Sequence, residues 1–312
     1  MWFTKANRVW EKLPDDEIIR RLTPREGKID MALDTDTFNE VDDQFALAYC
    51  MLSPERLNVQ AVYAAPFYND RATGPEDGME KSYGEIVRLL GKMGRAPEGL
   101  VYKGSRSYLP DANTPVDSPA ARDLVARAMA RDEDNPLYVC AIGAITNVAS
   151  AILMEPRITR KIVLVWLGGH RLDYPTAEEF NLSQDVHAAR VAFDCGVPMV
   201  LVPCQGAASH MLATVPELQT CIGGANPLCD ALVELFSAYS GDHFAWAKEI
   251  WDVAPVAWLI HPEWVPTRLA PSPLVTDDSH WGRGENRHFI REAYACRRNP
   301  IFKDLFTKLR NA

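Results

Sequence analysis

"IDMALDTDTFNEVDDQFALAY", residues 29–49, runs from a mainly apolar stretch through a crowd of acids into a second apolar stretch. Asp34, Asp36, Glu40, Asp42 and Asp43 put five carboxylates within ten positions. The residues before them read as a buried strand. "DDQFALAYCML", which follows, reads as a helix, with its first acids at the positive end of the helix dipole. Strand, acidic loop and helix in that order are the opening unit of an α/β fold.

The same alternation continues along the chain. "NVQAVYAAP" (58–66), "LVYKG" (100–104), "LYVCAIG" (137–143), "IVLVWLGG" (162–169) and "PMVLVPC" (198–204) are rich in Val, Ile and Leu and do not alternate with polar residues. Strands covered on both faces look like this. Between them lie helical patterns such as "QDVHAARVAFDCG", with Val186, Ala189 and Phe193 on one face and Gly196 as its stop. The alternation predicts a Rossmann-like, open, mostly parallel sheet with helices on both faces. Residues 29–312 are expected to form this single domain. Residues 1–28 are expected to be a helical extension outside the core, with Trp2, Trp10 and "EIIRRL" covering a neighbouring subunit or the chain's own sheet. In such folds the ligand sits beyond the carboxyl ends of the strands, where the acidic loop falls.

Composition narrows the partners. With 312 residues, 47% apolar and 24% charged, the chain supports a sizeable core. A net charge of −9 repels phosphate backbones, which argues against a nucleic-acid polymer. Cys50, Cys140, Cys195, Cys204, Cys221, Cys229 and Cys296 are odd in number and lack CxxC spacing. They are expected to be reduced core residues of a cytoplasmic protein, and a zinc site is not expected. "MWFTKANRVWEKLPDDEIIRRL" has no apolar core of a signal peptide, and every apolar run is far short of the ~20 residues of a membrane span.

Five carboxylates this close repel one another, and a bound cation relieves the repulsion. Hard oxygen ligands suit calcium or magnesium. The plainer reading makes Asp42 and Asp43 ordinary helix-start acids and Asp34 a strand-end cap. Two enzyme families carry a DxD after a first strand. "DTDTF" resembles the opening of haloacid-dehalogenase-like magnesium phosphatases, in which Asp34 would be the nucleophile. No later strand end offers the Lys and Asp pair that such an enzyme needs.

The chain more fully resembles the inosine–uridine-type nucleoside hydrolases, whose DxDxGxDD signature is matched by Asp34, Asp36, Asp42 and Asp43. Five residues separate Asp36 from Asp42 where the signature has three, and its Gly is missing, so the loop must bulge and Glu40 faces water or becomes an extra ligand. "AIGAITNVASAI" (141–152) resembles the family's GPLTN segment, "AEEFNLSQDVHAARVAF" (177–193) its AEFN segment, and "EIWDVAPVAWLIHP" (249–262) its HDP-type segment with Trp251 in place of His. The motifs keep the family's order.

The resemblance implies a calcium-dependent hydrolase of ribonucleosides. It implies Asp36, Asp43, Asp252 and the Thr146 carbonyl as metal ligands; Thr146 also reads as a helix cap. Asp36 would take the proton of the attacking water, and Asp42 would hold that water or a ribose hydroxyl. Glu179 and Asn181 would hold the ribose hydroxyls, with Leu167 of "VWLGGH" beside the sugar. Asn69 of "AAPFYND" and Asp173 stand where the family carries sugar-binding Asn residues. Among seven histidines, His243 is the candidate acid for the departing base, nine residues before Asp252 on an expected helix. Trp251 and Trp246 offer faces for stacking a base. The family implies a homo-oligomer, a dimer or tetramer. The alternative of another class is a non-catalytic protein that binds calcium and ribosides on the same fold.

Overall fold

The structure, a computed structural model, describes residues 10–312; Trp2 of the N-terminal extension lies outside the described residues. Six strands follow the expected apolar runs: β1 (Ile29–Thr35), β2 (Leu57–Ala64), β3 (Val101–Lys103), β4 (Leu137–Ala141), β5 (Ile162–Leu167) and β6 (Met199–Val202). They lie in the order β3-β2-β1-β4-β5-β6, all parallel. Phe289–Ala293 extends the sheet beside β6 in parallel, and Thr267–Pro271 closes that edge antiparallel to it. Sequence patterning did not mark these last two strands: "FIREA" carries Arg291 and Glu292 among its apolar residues.

Successive strand residues pack into two separate cores, one on each face. Met31 and Leu33 of β1 face the same core as Phe45 and Leu47 of the helix Asp43–Met51. Ala32 faces the other, with Val148 and Ile152 of the helix Thr146–Met154. Each fully buried Leu, Ile or Val contributes roughly 1.5–3 kcal/mol, which is why strands covered twice carry so few polar side chains. The helix Val186–Asp194 ends as expected, with Gly196 at φ 81°.

The N-terminal extension departs from expectation. Its helix Asp15–Arg21 is there, but Leu13, Ile18 and Leu22 are buried in the main core. A helix with apolar residues on one side gains by covering the sheet, one of the two placements expected for it, so residues 13–22 pack into the domain's core and not outside it. Among the described residues no helix is long and apolar enough to cross a membrane.

Strand order reverses direction between β1 and β4. At this switch point the loops leaving the two carboxyl ends part to opposite faces and open a crevice. Asp34 and Thr35 end β1 there, and Ile142 follows β4, its N–H on the Asp34 carbonyl at 2.8 Å.

Candidate active site

The acidic loop is built from its own backbone outward. The N–H of Asn39 turns back to the Asp36 carbonyl at 2.7 Å, and Gln44 Nε2 donates to the Thr37 carbonyl at 2.6 Å. Arg71 Nη1 donates to the carbonyls of Asn39 and Glu40, each at 3.2 Å, while its guanidinium lies 4.9 Å from the Phe38 ring centre. These contacts give the lengthened loop a defined path without the family's glycine.

The turn delivers Asp36, Asp42 and Asp43 to one buried place, where Asp252 meets them from the start of the helix Val253–Ile260. Carboxylate oxygens of Asp42, Asp43 and Asp252 lie within 4.8 Å of one another. Thr35 Oγ1 donates to Asp43. Asp34 sits behind them, one oxygen accepting from Asn147 Nδ2 at 2.8 Å. Both oxygens of Asp36 are buried with no hydrogen-bond partner. Burial raises Asp34 to about 7 and Asp42 to about 6. Asp36, Asp43 and Asp252 are pushed well above the usual range, first by burial and then by their neighbours' charge.

A buried group of acids with unpaired oxygens is costly unless something positive joins it. The all-oxygen donor set suits a hard metal ion, and the cluster can hold one. Thr146 opens its helix at the end of β4, with Oγ1 donating to Asp185 at 2.8 Å.

Above the acids lies a cavity of about 230 Å³. Asp36, Asp42, Leu167, Glu179, Asn181, Trp251 and Asp252 line it. Glu179 accepts from the N–H groups of Gly169, Asn181 and Leu182, and burial still raises its pKa. Asn181 spends its Nδ2 on the carbonyls of Ile142 and Leu167.

Besides Asp43 and Thr146, four sequence candidates stand outside this lining. Asp173 is exposed and paired with Arg171 at 2.6 Å. Asn69 donates to Asn39 Oδ1 at 2.6 Å and faces a neighbouring cavity. Trp246 packs on Phe236 and Tyr239. His243 is exposed on an irregular segment, not the expected helix, with Nε2 2.9 Å from the Ser237 carbonyl.

The cavity also holds residues that sequence reasoning did not assign: Asn39, His170, Phe180, Cys204 and Gln205. His170 has a buried, unpartnered Nδ1, and burial lowers its pKa. Its place directly after "LGG" at a strand end was the available signal. Cys204 follows β6, and burial together with Glu179 raises its thiol pKa well above the usual value.

Residues 31–293 match the family described as inosine-uridine preferring nucleoside hydrolase. The chain belongs to this family. It is accordingly an enzyme of the nucleoside hydrolase type, acting on N-glycosyl bonds. The pyrimidine-specific ribonucleoside hydrolase RihA of Klebsiella pneumoniae (strain 342) is 26% identical over 253 residues, covering 71% of this chain and 77% of that protein. The inosine-uridine preferring nucleoside hydrolase of Leishmania major is 27% identical over 176 residues, 54% of this chain and 55% of that one. In fold the chain is similar to a purine-preferring ribonucleoside hydrolase from Gardnerella vaginalis, with a TM-score of 0.69, 20% identity, and 90% and 98% of the two chains covered. It is similar too to the plant nucleoside hydrolase PpNRh1, with a TM-score of 0.70, 18% identity, and 91% and 99% covered. The family match sets aside the phosphatase alternative.

Proposed function

We propose that this nucleoside hydrolase cleaves ribonucleosides to free base and ribose with a water held by calcium and activated by Asp36. The observation that carries the reading is Asp36 itself: two buried, unpartnered oxygens on the wall of a cavity shared with Asp42 and Asp252. Asp36, Asp43, Asp252 and the Thr146 carbonyl would hold the ion. When bound, calcium supplies positive charge that offsets the carboxylates, grips a vicinal diol and makes a water more acidic.

The chain's own residues do the rest. Asp36 takes one proton of the attacking water as its oxygen bonds to the anomeric carbon. The bond from that carbon to the base nitrogen breaks, its electrons leave with the base, and the base takes a proton from solvent water, to which Asp36 later returns one. The sugar passes through an oxocarbenium-like state, which buried carboxylates favour electrostatically. Asp42 orients the water or a ribose hydroxyl, and Glu179, Asn181 and Leu167 hold the sugar. The base lies toward Trp251. Trp246 reaches the cavity only indirectly, stacked on Tyr239, which bonds Glu40 of its lining, and His243 packs on Trp246, while Asn69 bonds Asn39 of the lining. Asp173, exposed and paired with Arg171 outside the cavity lining, would bear on the sugar only as a distant negative charge. Nucleosides are the substrates, with no nucleic-acid polymer and no membrane as partner. A cytoplasmic homo-oligomer is part of the same reading.

Ribose release from a panel of purine and pyrimidine nucleosides, with calcium or with chelator, tests it. The expected result is chelator-sensitive release, reduced about 10²- to 10⁴-fold in Asp36→Ala. Trp251, where many family members have His, favours a second reading as a binding protein. Calcium and riboside binding without release would select it.

A further inference from the structure

The lengthening of the loop between Asp36 and Asp42 puts Asn39 and Glu40 where two cavities meet. Both residues line the catalytic cavity of about 230 Å³, together with Asp42 and Trp251. Both also line a second cavity of about 500 Å³, with Asn69, Arg71 and Tyr239. Residues that line two cavities at once are the wall between them.

The wall is clamped. Glu40 accepts from Lys248 Nζ at 2.6 Å and from the Tyr239 hydroxyl at 3.3 Å. Lys248 comes from a two-residue strand far along the chain, and its side chain is only 12% exposed. Its ammonium lies 5.7 Å from the Trp251 ring centre and 5.3 Å from that of Tyr239. Asn39 is held on its other flank by Asn69 and, through its carbonyl, by Arg71. A lysine this buried between two aromatic rings does not release its carboxylate freely, because its ammonium would lose its nearest partner with little water to replace it, although Glu40 itself is 33% exposed.

We infer that Glu40, clamped by Lys248, is a specificity-determining residue: it confines the departing base to a compact, unsubstituted ring. Opening the wall joins the cavities into one subsite for bases that carry a bulky aromatic substituent. The second cavity has room for such a group, with Tyr239, 43% exposed, on its wall beside the polar side chains of Asn69 and Asp70. The inference rests on the proposed hydrolysis, with ribose at the carboxylates and the base toward Trp251.

The test compares kcat/KM for N6-benzyladenosine against adenosine, and for 5-(phenylethynyl)uridine against uridine, in wild type, Glu40→Ala and Lys248→Met. Wild type is expected to favour the parent nucleoside. Glu40→Ala is expected to shift the ratio toward the bulky substrate at least tenfold, and Lys248→Met at least threefold in the same direction. Lys248→Met carries the test by itself if Glu40→Ala does not fold. Unchanged ratios in the folded variants, with the parent still cleaved, overturn the wall and leave the hydrolase reading intact. Equal cleavage of both substrates by wild type does the same. A wild type that neither binds nor cleaves any riboside overturns the functional reading and the wall with it.

Discussion

The Asp36 carboxylate lies directly over Gly143: a methyl group at position 143 would stand 2.8 Å from Oδ1 and 2.9 Å from Cγ. Gly143, the second residue after β4, thus bounds the place of the proposed base, which follows β1.

Gly143→Ala is therefore expected to displace Asp36 while sparing the fold. Close-packed interiors give little, so the carboxylate moves instead of the backbone. Ribose release should fall at least tenfold in kcat, with a smaller calcium-induced rise in melting temperature, since Asp36 is also a proposed ligand. Unchanged kcat would show that Asp36 has room to spare.

Metal binding should appear as stability. Ligand that binds only the folded state stabilises it, by about 2.7 kcal/mol at a hundredfold excess over Kd. Calcium is expected to raise the melting temperature of wild type, and Asp43→Asn or Asp252→Asn to abolish most of that rise. In chelator, each variant should be at least as stable as wild type, because it removes one charge from a repelling group. A full calcium response in both variants would remove these residues from the ligand set.

The pH dependence has a definite sign. Burial holds Asp34 at about 7 against an ordinary 3.8. Below the ordinary value both folded and unfolded chains hold the proton, and the group costs nothing. As pH rises toward 7 the unfolded chain has released the proton and the folded one is made to, so stability is progressively lost. Asp34→Asn keeps an acceptor for Asn147 and has no such ionisation. In chelator, its stability advantage over wild type should grow from pH 5 to pH 8 by on the order of 2 kcal/mol. Urea midpoints at the two pH values measure it, and an advantage that shrinks would reverse the assignment.

Two histidines separate by position. His170 lines the cavity and His243 bonds the Ser237 carbonyl on an exposed segment. His170→Ala is expected to raise KM or lower kcat about tenfold, and His243→Ala to stay within about threefold of wild type. The reverse order in steady-state kinetics would restore His243 as the acid for the departing base.

Sugar specificity follows from the diol. 2′-Deoxynucleosides lack one of the two cis hydroxyls that the ion and Asp42 are proposed to hold. Their kcat/KM is expected to be at least a hundredfold lower than that of the ribonucleosides. Comparable turnover in the same assay would argue against chelation of the sugar.

The sequence by itself determined the parallel sheet, because strands buried on both faces must be continuously apolar, and that pattern is local. It also drew attention to Asp36, Asp42 and Asp43, since acids crowded at strand and helix ends are conspicuous along the chain, while Asp252 was reached only through the family resemblance of its segment. Tertiary structure alone decided which polar residues share the cavity. Asp173 and His243 are exposed outside it, whereas His170, Cys204 and Gln205 line it. Glu40 meets Lys248 across 208 positions of sequence. Such meetings depend on how loops from different strand ends pack against one another, and that packing is set by contacts between distant residues and not by the pattern within any one stretch.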